Sequence, residues 1–275
     1  VGESPVWSVA EQALYWVDIP AKKLCRWQLE GAQLSTWQAP EMLACIAQGT
    51  RPGTWLAGME TGLFELQVPS MGALQSSLHS RQIAPVAHTQ PGMRFNDGRC
   101  DRQGRFWAGT MVCNMGLASR AGALYRHDAM TGLQKMREGF ITPNGLGFSP
   151  DGRTMYLSDS HPAVQLIWAF DYDTATGTPS NQRVFVDMNA LPGRPDGAAV
   201  DVDGCYWICA NDAGLVHRFT PTGQLDRSLT VPVKKPAMCA FGGVMGLKDF
   251  PQVFRLDTGP RIPGANDHFV PLFPG

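Results

Sequence analysis

Apolar and polar residues alternate in short runs along this chain, and Gly, Asn and Asp break the runs before a helical spacing can build up. Five runs are rich in aromatic residues: residues 14–18, 54–58, 105–109, 155–159 and 205–209, anchored by Trp16, Trp55, Trp107, Tyr156 and Trp207. The anchors recur at steps of about 50 residues, the length that one four-stranded blade uses. Turn chemistry precedes three of them. Residues 101–104, 149–152 and 201–204 each set Asp and Gly where a hairpin must reverse. A further strand follows in the same repeats, at residues 122–126, 166–170 and 215–219, each running on to a Thr-Gly turn.

No stretch holds a helical period over a dozen residues. The expectation is an all-β chain, a six-bladed β-propeller with a central channel, forming one domain over residues 1–275. Five anchored repeats supply five blades, and residues near 244–270 are left for the sixth. That remainder is Pro-rich and lacks clean alternation, so the last blade is expected to be irregular or incomplete. The periodic aromatics are read as packing between blades rather than as a platform for ligands.

Composition narrows the partners. The net charge is −1, with no basic block, which argues against nucleic acid and against anionic membranes. A 44% hydrophobic and 17% charged composition suits a sizeable core. Seven cysteines at scattered positions include no Cys-x-x-Cys pair. Cys205 and Cys209, four apart in a strand, are read as core, and a reducing, cytoplasmic compartment is expected. No apolar run approaches the roughly 18 residues of a membrane span, and no signal peptide is evident.

Four segments carry candidate chemistry: Gly2-Glu3-Ser4-Pro5-Val6-Trp7, Arg94-Phe95-Asn96-Asp97-Gly98, Thr142-Pro143-Asn144-Gly145-Leu146 and Arg194-Pro195-Asp196-Gly197. Taken singly, Asn and Asp beside Gly are turn residues, Arg94 is a surface cation, and Glu3 is a solvated charge. Taken together, oxygen-bearing side chains converging from distant turns are how a fold builds a site for a hard divalent cation. Asp97 is read as a support for Arg94 or Asn96, and Asp159 either as a support for Asn144 or as a turn residue. His161 could line the same mouth, although a loop histidine is its default reading. The six histidines show no metal spacing, and no Gly-x-Ser-x-Gly elbow is present.

With Phe106-Trp107-Ala108-Gly109-Thr110-Met111, Phe170-Asp171-Tyr172-Asp173 and Cys239-Ala240-Phe241-Gly242-Gly243 added, these segments resemble the senescence-marker-protein, gluconolactonase and luciferin-regenerating-enzyme family. The resemblance runs to about residue 243, and residues 244–275 depart from it. It implies a six-bladed propeller that opens sugar lactones with one divalent cation, Ca, Zn, Mg or Mn, at the channel mouth. It implies Glu3, Asn144 and Asp196 as metal ligands, with Asp196 also catalytic, and Arg94 and Asn96 as substrate contacts. Some members carry a Glu after the Thr-Met pair, where this chain has Val112-Cys113-Asn114. Asn114 is therefore expected at the substrate but as an amide.

The expected function is metal-dependent hydrolysis of an aldonolactone by a monomer or weak dimer whose partner is a small-molecule sugar lactone. Two other readings stay open: a non-catalytic calcium-binding regulatory propeller, and a metal-dependent lactonase or esterase acting on a non-sugar ester.

Overall fold

A computed structural model describes residues 2–69 and 77–242. Within them the chain forms five four-stranded antiparallel sheets, each a meander in chain order. Blade one comprises β1 (Gly2–Ser8), β2 (Ala13–Asp18), β3 (Lys23–Gln28) and β4 (Gln33–Gln38). Blade two comprises β5 (Cys45–Gln48), β6 (Thr54–Gly58), β7 (Gly62–Gln67) and β8 (His79–Pro85). Blade three comprises β9 (Met93–Cys100), β10 (Phe106–Val112), β11 (Gly122–Asp128) and β12 (Gly132–Phe140). Blade four comprises β13 (Pro143–Phe148), β14 (Thr154–Asp159), β15 (Leu166–Asp173) and β16 (Thr178–Asp187). Blade five comprises β17 (Arg194–Val200), β18 (Tyr206–Asn211), β19 (Leu215–Phe219) and β20 (Leu225–Thr230). The expected sixth blade, from residues 244–270, lies outside the described residues.

Each aromatic run of the sequence falls on the second strand of a blade. Trp55, Trp107, Tyr156 and Trp207 are buried, while Trp16 is half-buried beside Leu14 and Ala240. Trp107 shows what such an anchor does. Its indole Nε1 donates to the Tyr172 hydroxyl at 3.0 Å, and that hydroxyl donates to Asp101 Oδ2 at 2.6 Å. One buried aromatic thus ties blade three to blade four and fixes the Asp101 hairpin at the same time. Burying such a ring stabilises the fold by about 2–3 kcal/mol from area alone.

The hairpins expected from their Asp and Gly residues are present. Gly104 N donates to Asp101 O at 3.2 Å with φ +85°, and Gly204 N does the same to Asp201 O at 3.1 Å. Among the described residues the only helical segments are three short 3-10 turns. No helix there is long and apolar enough to cross a membrane. Cys209 lies within β18 and Cys205 directly before it, and both are buried, as their reading as core residues expects.

The innermost strands β1, β5, β9, β13 and β17 neighbour one another in that order around the channel. β13 and β17 are buried along nearly their whole length, Asn144 and Asp196 included. Arg99 holds three of the innermost strands together. Its Nε donates to Leu146 O at 2.9 Å and its Nη2 to Ala198 O at 2.7 Å, so one side chain from blade three spans to blades four and five.

Pairing of the innermost strand with its neighbour is interrupted in four of the five blades, and at matching places. The register shifts between Glu3 and Val6, between Phe95 and Gly98, between Asn144 and Gly147, and between Pro195 and Ala198. Each shift sets two residues against one, which is a β-bulge. In blade two, β5 and β6 pair without interruption.

Candidate active site

A bulge breaks the alternation of side chains and re-aims what it carries. The four bulges lie toward the starts of β1, β9, β13 and β17, and these strands begin at the same end of the channel. The residues at or beside them are Glu3, Asn96 with Asp97, Asn144 with Gly145, and Asp196 with Gly197. Gly145 has φ +63°, and a Cβ there would lie 2.4 Å from the Tyr206 hydroxyl, so only glycine fits behind Asn144.

Four of the residues expected at the site form one chain of hydrogen bonds. Arg94 Nη1 donates to Asn96 Oδ1 at 2.9 Å and to Phe95 O at 2.7 Å. Asn96 Nδ2 donates to Asn144 Oδ1 and to Pro143 O, both at 3.0 Å. Asn144 Nδ2 donates to Asp196 Oδ1 at 2.9 Å. Asn211, on β18, closes the chain by donating Nδ2 to Asp196 Oδ2 at 2.6 Å. Asn96, Asn144 and Asp196 are all buried, so each polar atom engaged here removes a desolvation cost.

The electrostatics are those of crowded acids with little solvent. Burial pushes the Asp196 carboxyl up to about 7, while Asn211 and Arg194 pull the other way. Burial also pushes Glu3 well above the ordinary carboxylate range, with Asp196 and then Asp97 adding to the effect. Asp97 is raised by burial and relieved mainly by Arg99. Arg94 is lowered by burial, with Glu3 among the groups that oppose this. A divalent cation would favour the ionised form of every carboxyl here.

The donor set fits a hard cation. Glu3 is held by no hydrogen bond to a described residue; burial and neighbouring charges alone act on it. Glu3 and Asp196 supply carboxylate oxygens and Asn144 an amide oxygen, all of them hard donors, and carboxyls raised mainly by burial gain most from a cation. Among the described residues no group of three or more His, Cys, Asp or Glu is placed to hold an ion. An oxygen site here therefore needs the amide of Asn144 beside the two acids.

Other expected residues stand elsewhere. Asn114 is exposed in the loop after β10 and spends its Oδ1 on Gly116 N at 3.2 Å, capping its own turn. Asp97 supports neither Arg94 nor Asn96. Its Oδ2 accepts from Leu146 N at 2.8 Å, so it holds the Asn144 bulge of the next blade, and its Oδ1 is buried without a partner. Asp159 takes both of its proposed roles through backbone, accepting from Ile141 N, Thr142 N and His161 N around the turn that leads into Asn144. His161 accepts at Nδ1 from Ala163 N, which leaves Nε2 to donate to Met115 O at 3.2 Å, joining the loop of Asn114 to blade four.

Two residues escaped the sequence reading. Asn211 pairs with Arg194 across β17 and β18, a partnership that strand register could have revealed. Ser160, just past β14, carries no motif and becomes visible only in three dimensions.

Comparison with known proteins places the chain. Residues 1–248 match the family described as SMP-30/Gluconolactonase/LRE-like region. The chain is 39% identical over 243 residues to the 6-deoxy-6-sulfogluconolactonase of Pseudomonas putida, covering 88% of this chain and 79% of that protein. Among solved structures, a luciferin-regenerating enzyme superposes with a TM-score of 0.82 at 26% identity, covering 88% of this chain and 80% of the other. The calcium-binding protein regucalcin of Agrobacterium tumefaciens gives a TM-score of 0.78 at 28% identity, covering 88% and 78%. With nearly the whole chain matched and the propeller architecture shared, this protein belongs to the SMP-30/gluconolactonase/LRE-like family.

Proposed function

We propose that this chain is a lactonase that opens a sugar lactone to its aldonic acid at the channel mouth, with Glu3, Asn144 and Asp196 holding one divalent cation. The observation that carries this reading is the buried chain Arg94–Asn96–Asn144–Asp196, which joins an acid titrating near neutrality to polar groups able to grip a sugar. Kinship with a 6-deoxy-6-sulfogluconolactonase supports the reaction class, and kinship with a calcium-binding regucalcin supports the cation.

When bound, the cation supplies Lewis-acid polarisation of the lactone carbonyl. Asp196 is the general base. It takes a proton from water as the water oxygen bonds to the carbonyl carbon; the ring C–O bond then breaks, and the departing ring oxygen takes a proton back. Burial holds the metal-free carboxyl up to about 7, and a bound cation would draw it below that value, leaving an ionised carboxylate to accept the proton near neutral pH. Asn211 and Asn144 fix the Asp196 carboxylate, so its orientation is set before substrate arrives. Arg94 presents a fork of donors to ring and hydroxyl oxygens and is itself braced by Asn96.

The reading keeps the ring at six blades. In its support, Gly197 N donates to Ala237 O at 2.7 Å, Phe241 meets the Trp207 ring, and Ala240 packs with Leu14 of blade one. Residues 237–242 thus run from blade five toward blade one. A monomer or weak dimer acting on a small molecule in a reducing compartment completes the proposal.

The test is hydrolysis of glucono-, galactono- and 6-deoxy-6-sulfoglucono-lactone by metal-stripped protein, with Ca²⁺, Mg²⁺, Mn²⁺ or Zn²⁺ added back. Cation-dependent turnover of any sugar lactone is the expected result. Folded protein that binds a cation and turns over none would instead favour the non-catalytic calcium-binding reading, and turnover of aryl or aliphatic lactones alone would favour the non-sugar ester.

A further inference from the structure

Ser160 sits between the two strands that carry Asn144 and Asp196, and it takes no part in the chemistry described above. Its hydroxyl donates to Pro195 O, and its Oγ accepts from Asn144 Nδ2 at 2.7 Å. A carbonyl can only accept, and a serine hydroxyl has a single proton. Once that proton is committed to Pro195, only lone pairs face Asn144, so only the Nδ2 end of the amide can point that way. The Oδ1 end is thereby turned toward Asn96 Nδ2. A flipped amide would set oxygen against Ser160 Oγ and Asp196 Oδ1, and nitrogen against the Asn96 donor.

We propose that Ser160 is a positioning residue: it fixes the polarity of the Asn144 amide, so that oxygen rather than nitrogen is offered to a cation. The inference rests on the cation-binding reading above. Ser160 is itself well fixed, being 3% exposed, with its backbone N donating to Thr142 O at 3.0 Å. Asp196 accepts from the same Nδ2, but Ser160 is the neutral acceptor of the two, and its hold does not depend on a carboxylate's charge. Its bond to Pro195 O also ties the Asn144 turn to the backbone just before Asp196, setting the spacing between the two across the blade seam.

Calcium and manganese affinities of the metal-stripped protein, read by calorimetry and by the cation-induced rise in Tm, test this. Ser160→Ala is expected to weaken cation binding by about tenfold to hundredfold while the metal-free Tm stays close to that of the wild type. Ser158→Ala is the comparison, because Ser158 reaches the same Pro195 O at 3.5 Å and pairs with Asn144 across β13 and β14, yet its hydroxyl makes no hydrogen bond to the Asn144 amide; it is expected to stay within about twofold of wild type. In an Asn144→Asp background both ends of the side chain are oxygen, polarity no longer matters, and adding Ser160→Ala is expected to cost less than about twofold more. Unchanged affinity in Ser160→Ala, or an equal loss in Ser158→Ala, overturns the proposal. So does a full further loss in the Asn144→Asp background, and if that background binds no cation the Ser158 comparison decides. Wild-type protein that binds no cation at all defeats the underlying reading, a result distinct from all of these.

Discussion

Asn144 donates its amide to Asp196 across the seam between blades four and five, Nδ2 to Oδ1 at 2.9 Å. The bond joins residues 52 apart in sequence and fixes one oxygen of the acid while Asn211 fixes the other. Asp196→Asn keeps the outline of the side chain and removes the base, at the cost of turning an amide N–H toward one of the two Asn donors. It is expected to lower kcat by about 10²–10⁴-fold with little change in Tm, measured by steady-state lactone hydrolysis and thermal melting.

The raised acids make the metal-free protein sensitive to pH in a defined direction. Asp196 titrates near 7 in the fold against an ordinary value of 3.8, so between these pH values the unfolded chain has lost a proton that the folded chain keeps. Rising pH therefore removes stability through that window, and below it this group contributes nothing. Glu3 acts with the same sign. Between pH 5 and pH 8 the metal-free Tm of the wild type is expected to fall relative to that of Asp196→Asn, and cation affinity to climb until pH passes about 7. A Tm difference that is flat with pH would remove the argument.

Arg94 stands at the end of the hydrogen-bonded chain, where the proposed reading puts the sugar. Arg94→Lys keeps a charge but loses the planar fork that serves Asn96 and a sugar together. An increase in KM of about tenfold, larger than the change in kcat, is expected from the loss of one charge-assisted hydrogen bond.

Gly145→Ala tests the bulge rather than the acids. A left-handed backbone at φ +63° costs a residue with a Cβ about 1–3 kcal/mol, and the Tyr206 hydroxyl and Ser158 Oγ occupy the space it needs. Both Tm and cation affinity are expected to fall, because the shift displaces Asn144.

Tyr172→Phe should separate fold from chemistry. It strips the hydroxyl from between Trp107 Nε1 and Asp101 Oδ2, leaving a buried donor bare at a cost of about 1–3 kcal/mol. Urea unfolding should report that loss while kcat and KM remain those of the wild type.

The blade repeat was legible in the sequence because the second strand of each blade buries a large aromatic near the same level, although Trp16 takes another register position than Trp107 and Trp207, and because Asp and Gly reverse three of the hairpins. Asn96, Asn144 and Asp196 were legible as candidates for a related reason: a bulge at a channel favours small or polar residues beside Gly, and that pattern survives in one dimension. The partners were not. Asp97 looked like a support for its own strand and instead holds Leu146 of the next blade, because a strand's neighbours around a ring lie about a blade away in sequence. Ser160 and the Pro195 carbonyl carry no pattern at all, since any small hydroxyl and any backbone oxygen would read the same before folding. Asn114 was placed at the substrate by likeness, and its side chain turns back onto Gly116.

The uninterrupted pairing of β5 with β6 gives blade two a distinct standing among its neighbours. Its inner strand, Cys45-Ile46-Ala47-Gln48, reaches the same ring of positions yet contributes no polar group to it. For an engineer this is an unused position: inserting one residue between Cys45 and Ala47 would create a fifth kink beside the other four. On the proposed reading a donor placed there changes which sugar is accepted, provided that the bond from Ile46 N to Ser4 Oγ at 2.9 Å, beside Glu3, is kept.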